Sequence, residues 1–171
     1  MGVPSLWRWA ERYRACRQLY PLWRDLCRAF PDLALVSPPS AVADALALRD
    51  VDLRLVRRMV EIRDGRLALR AYLPAGTVAG VRSACEAAGL TPVATQATVE
   101  AASLAVALRQ RSQGEVAQAP DLLPATPGGT DLDQEVAYLV RVAQAYTSSP
   151  VVRAYRTQVP PRRPRTERAL A

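Results

Sequence analysis

At 171 residues, half of them hydrophobic and 23% charged, the chain is long enough to bury one core without disulfides or metals. It contains no His, no Lys and no Asn, so all 23 basic residues are Arg; the commonest general base, the commonest metal ligand and the amine of Schiff-base chemistry are thereby excluded. The net charge of +7 sits at the two ends: residues 1–30 carry six Arg against Glu11 and Asp25, residues 153–171 carry six against Glu167, and 31–152 carries eleven Arg against thirteen acids.

Residues 5–30 place Trp9, Tyr13, Cys16, Tyr20, Trp23, Cys27 and Phe30 at alternating spacings of four and three, the pattern of a packed helical seam. Pro21 falls in mid-seam without shifting its phase, which predicts one long helix kinked there, or two nearly collinear ones. The seam serves core packing, a homodimer contact, or an Arg-flanked aromatic face on a membrane surface. Pro31 stops this helix, and 31–49 reads as an extended connection followed by a short helical stretch.

A central helix follows over 50–73, with Asp50 as its candidate N-cap and Pro74 with Gly76 closing it. Leu55, Val56, Met59, Val60, Ile62, Leu67, Leu69 and Leu73 fall on one broad face, which predicts that this helix is the most buried. Arg63, Arg66 and Arg70 fall within the same face. Gly65, beside them, marks close helix contact, room for a ligand, or a break.

Thr77–Ala88 reads as a short helix ended by Gly89. Thr91–Pro92 opens the next, which runs to about Gln113 with a stripe of Val93, Ala97, Ala101, Leu104 and Leu108 that includes Glu100. Residues 114–130 are rich in Pro and Gly and predict a flexible loop. Thr130 caps a helix with Leu132, Val136, Leu139, Ala143 and Tyr146 on its apolar line and Glu135 at the edge; a final short helix lies near 150–157. The tail from 158 has no apolar period and predicts disorder. The expectation is a single-domain, all-α bundle of five to six helices over 1–157.

Cys16, Cys27 and Cys85 are odd in number and far apart; with no signal peptide they predict reduced thiols and a cytoplasmic chain. No run approaches the roughly 18 apolar residues of a spanning helix. Nothing in the sequence reads as a sequence-specific nucleic-acid module.

Arg63, Arg66 and Arg70 support three readings, since an Arg on an apolar stripe needs a carboxylate, an anion or an exit to water. They close salt bridges with Glu100 and Glu135 and tie three helices together; or they form a pocket for a small anion such as a phosphorylated metabolite or nucleotide; or Glu61, Asp64, Glu100 and Glu135 hold Mg²⁺ while the arginines hold a diphosphate. The reading favoured is a non-enzymatic regulatory or interaction module that binds a small anion or a protein partner without a cofactor. The alternative is a Mg²⁺-dependent all-α enzyme.

The blocks LYPLWRDLCRAFPDLAL, RRMVEIRDGRLALRAYL, EAASLAVAL and DLDQEVAYLVRVAQAY followed by SPVV resemble the cytosolic C-terminal domain, of unknown function, of actinobacterial putative membrane transporters. The resemblance covers about Leu19 to Val152 and implies a helical domain on the cytosolic side, with Arg63-Asp64-Gly65 in its signature. Those relatives carry an N-terminal membrane bundle and these 171 residues show none, so the resemblance implies the domain and not transport.

Overall fold

The first helix, α1 (Val3–Ala29), runs through Pro21 without a break. It buries Ala15, Cys16, Leu19, Tyr20, Leu22, Trp23, Leu26 and Cys27, a broader face than the aromatic seam alone, and each fully buried leucine stabilises by about 1.5–3 kcal/mol. In the computed structural model, which describes residues 3–34, 37–123 and 131–157, six further α-helices follow: α2 (Ala41–Leu46), α3 (Val51–Leu69), α4 (Thr77–Ala87), α5 (Pro92–Ser112), α6 (Leu132–Ser148) and α7 (Pro150–Thr157). Short 3-10 turns at Pro31–Leu33 and Arg70–Tyr72 extend α1 and α3. The described residues form one all-α domain; their only β pairing is an isolated Pro74–Pro120 bridge. The count exceeds the expected five to six because the short helical stretch within 31–49 forms a helix of its own, α2. The predicted tail, 158–171, lies outside the described residues.

The connections obey their local chemistry. Pro31 ends α1. Ser40 caps α2 by accepting from the Ala43 amide, and Thr91 caps α5 by accepting from Ala94. Asp50 precedes α3 in a left-handed conformation (φ 51°) and its side chain makes no cap bond, so its expected capping role is not taken up. At the start of α6 the cap is Asp131, which accepts from Asp133, rather than Thr130, which lies outside the described residues. Gly89 (φ 67°) reverses the chain after α4, with Leu90 donating back to the Cys85 carbonyl.

The centre of the bundle is α5, not α3 as its apolar face suggested. Every residue from Ala97 to Ala107 is buried, and the helix touches α1, α3, α4, α6 and α7. Ala, Ser and Thr at most of these positions let five neighbours approach at once. By contrast α3 turns Leu53, Val56, Val60 and Leu67 to the exterior. Its buried arc runs through Val51, Leu55, Arg58, Met59, Glu61, Ile62, Gly65, Arg66 and Leu69.

The segment after α5 makes contacts back to the bundle. Ala117 and Asp121 donate backbone bonds to the Ala71 and Leu73 carbonyls, and Asp121 Oδ2 accepts from the Val78 amide in the first turn of α4. Of the loop predicted over 114–130, residues 124–130 lie outside the described residues.

Helices α1 and α3 advance in the same direction, since Cys16 meets Val51, Trp23 meets Glu61 and Leu26 meets Gly65. Gly65 is the point of closest approach: a Cβ there would lie 3.1–3.3 Å from three atoms of the Leu26 side chain. Of the three readings for this glycine, close helix contact is the one realised. Gly65→Ala gains about 1 kcal/mol of helix propensity but overpacks a buried leucine, at about 1–3 kcal/mol. The expected outcome is net destabilisation in urea unfolding, relieved when Leu26 is shortened to Val in the same chain.

Candidate functional site: an arginine-lined cleft beside α3

Only one of the three arginines singled out in the sequence enters the core. Arg66 Nε lies 2.7 Å from Glu100 Oε1, and Glu100 also accepts a hydrogen bond from the Tyr138 hydroxyl. This joins α3, α5 and α6. Arg63 is 61% exposed and pairs with Glu135 at 3.0 Å, while Arg70 points outward from the 3-10 turn. The rotation of α3 explains the split, because Arg63 and Arg70 each sit one residue, about 100°, past a fully buried neighbour, Ile62 and Leu69. The expected pairing of Arg63 and Arg66 with Glu135 and Glu100 is present, but the three guanidiniums do not converge on one cavity.

The acidic residues do not converge either. Glu61 accepts from Arg57 Nε at 3.0 Å and from Trp23 Nε1 at 2.5 Å, Glu100 and Glu135 are held as described, and Asp64 is half-buried on α3. Among the described residues no three Asp, Glu or Cys side chains are grouped as a metal site requires.

A different cluster, which sequence reasoning missed, lies on the other flank of α3. Asp44, in α2, is 1% exposed and pairs with both Arg58 and Arg54. Arg58 is itself buried, donates to the Cys16 carbonyl at 2.5 Å and stacks over the Trp23 ring with its guanidinium carbon 4.5 Å from the centroid. Arg54 donates to the Ala47 and Asp44 carbonyls, which fastens the end of α2 to α3. These groups, with Arg57, Trp23 and Pro39, line a cleft of about 130 Å³. The lining carries three guanidiniums and one carboxylate, Asp44, and with Glu61 paired to Arg57 positive charge is still in excess; Arg17 lies 4.0 Å from Asp44 Oδ2. The sequence carried one signal: Arg54 and Arg58 flank Leu55 at helical spacing, and Asp44 is the only acid in the apolar run SAVADALAL.

The cysteines offer no nucleophile. All three are buried free thiols; burial pushes Cys27 up to about 11 and raises Cys16 and Cys85 as well, so the thiolate is disfavoured.

The fold and its internal ion pairs thus define a helical module held together by buried Arg–carboxylate contacts, with an electropositive cleft at one side. The chain belongs to the family of unknown function DUF6545, which matches residues 8–149. Neither the curated proteins nor the solved structures contain a match. No described helix is long and apolar enough to cross a membrane.

Two outcomes follow from the core cluster. Arg66→Met leaves the Glu100 carboxylate without its counter-charge and is expected to destabilise by about 3–5 kcal/mol in denaturant titrations, whereas Arg70→Met stays within about 0.5 kcal/mol. Burial raises the Glu100 carboxyl above its ordinary 4.5, against the opposing pull of Arg66 and Tyr138. The folded protein therefore holds this proton more tightly than the unfolded chain, and the Glu100 contribution falls as pH climbs from about 4.5 through the folded value. Thermal melts across pH 4–8 should show this slope in the wild type and its loss in Glu100→Gln.

Proposed function

We propose that this chain is a non-enzymatic, cytoplasmic regulatory module that binds a small anion, and that the anion sits in the cleft of Arg54, Arg57 and Arg58. The observation that carries this reading is the excess of guanidinium over carboxylate in a cleft of about 130 Å³. That volume is below the roughly 300 Å³ of pockets for drug-sized ligands and suits an anion of a few heavy atoms, or the anionic end of a phosphorylated metabolite or nucleotide. Arg binds such groups through a planar fork whose charge is permanent.

The Mg²⁺-dependent alternative is less well supported, because Glu61, Glu100 and Glu135 each lie against a separate arginine. For a macromolecular partner, one observation favours the start of α1: Leu6 and Trp7 are 66% and 64% exposed beside Arg8. We propose this end of the helix for a homodimer or membrane-surface contact, since residues 15–27 contribute mainly to the core.

Thermal-shift titration with inorganic phosphate and pyrophosphate at constant ionic strength tests the cleft. A saturating anion, at about 100 times Kd, should stabilise the wild type by about 2.7 kcal/mol. Arg57→Gln should abolish the response, while Arg63→Gln and Arg70→Gln keep it. An unchanged response in Arg57→Gln would place the anion elsewhere.

A further inference from the structure

Two polar atoms on residues that line the Arg54–Arg57–Arg58 cleft are buried and have no hydrogen-bond partner among the described residues: Arg57 Nη2 and Asp44 Oδ2. The remaining hydrogen bonds of these residues are committed elsewhere. Arg57 Nε holds Glu61. Asp44 Oδ1 accepts from both Arg54 and Arg58, and among the described residues Oδ2 has only the distant Arg17 at 4.0 Å. A buried donor and a buried acceptor left open are each costly relative to the satisfied state, and a single molecule in the cleft that met both would relieve that cost. That molecule must present an anionic oxygen to Arg57 and an O–H to Asp44.

We infer that the cleft selects an anion that carries its own hydrogen-bond donor beside the negative charge, with hydrogen phosphate as the simplest member of the class. This rests on the anion-binding reading above and narrows it. Near neutral pH inorganic phosphate keeps at least one O–H, which donates to Asp44 Oδ2 while its other oxygens accept from Arg57. Sulfate has the same tetrahedral shape and a similar size but no proton, so one of its oxygens faces the Asp44 carboxylate with nothing between them. The site thus discriminates by an unfavourable contact with the wrong anion as much as by a favourable one with the right anion. The same logic separates glycolate, which has a hydroxyl, from acetate, which has none.

The experiment is isothermal titration of the whole chain at pH 7 with sodium phosphate and with sodium sulfate, at an ionic strength fixed with chloride, and then with glycolate and acetate. Phosphate is expected to bind about tenfold or more tightly than sulfate, the difference of one buried hydrogen bond to a charged group. Glycolate should exceed acetate in the same sense, and a preference in the phosphate pair alone would restrict the class to protonated oxyanions. Arg57→Gln should weaken phosphate and sulfate together. Asp44→Asn, if its helical circular dichroism is native, should erase the preference because its amide can donate to sulfate; if it does not fold, the wild-type ratio decides alone. Equal binding of phosphate and sulfate, both lost in Arg57→Gln, would overturn this inference and leave the anion site standing. No binding of either anion, or binding indifferent to Arg57→Gln, would overturn both.

Discussion

A helix surrounded on every side has no polar face on which to carry charge, and α5 is such a helix. From Ala97 to Ala107 it buries every residue, and one of them is Glu100, fully excluded from solvent. Placing a carboxylate there is tolerable only because Arg66 and Tyr138 reach it from α3 and α6. This contact fixes the angular setting of three helices at once: a rotation of α3 by one residue would carry Arg66 out of reach and bury either an unpaired acid or a free guanidinium. The outward position of Arg63 and Arg70, and the inward position of Arg58 and Glu61, follow from the same rotation.

A second group of charges acts at the periphery. Asp44 belongs to α2, a helix of six residues that would be marginal alone. Its pairs with Arg54 and Arg58, and the Arg54 bonds to the Ala47 carbonyl, hold α2 against α1 and α3. Oδ1 receives both arginines, and Asp44, Arg54 and Arg58 all line the cleft. The device that docks α2 thus also brings charged side chains to the wall of the cleft.

Much of the fold was legible along the chain. Proline and glycine mark nearly every helix boundary, and α7 begins at the Pro150 that the sequence points to. The Glu100 and Glu135 partners of Arg66 and Arg63 were also legible from their places on apolar stripes. What was not legible has two causes. The outer stripe of α3, Leu53, Val56, Val60 and Leu67, has the same helical period as its inner one, so periodicity alone could not fix the rotation. Alanine contributes little contrast, so the all-round burial of α5 left a weak pattern. The cleft depends on Asp44 meeting Arg58 across a connection with no periodic signal of its own, a juxtaposition that only the tertiary fold reveals.

The common direction of α1 and α3 has a consequence for how the chain assembles. Two helices in sequence that run the same way cannot close as a hairpin; the chain must first travel back along their length, here through residues 30–50. The contacts of α1 are correspondingly remote, reaching Glu61 from Trp23, Arg111 from Ala29 and Tyr146 from Asp25. During synthesis Leu19, Leu22 and Leu26 emerge before α3 and α6 and stay uncovered until those helices leave the ribosome. The local pairs α4–α5 and α6–α7 close over short spans. Within these residues α1 is therefore made before the helices that cover it, and its leucines are a surface that a chaperone would meet.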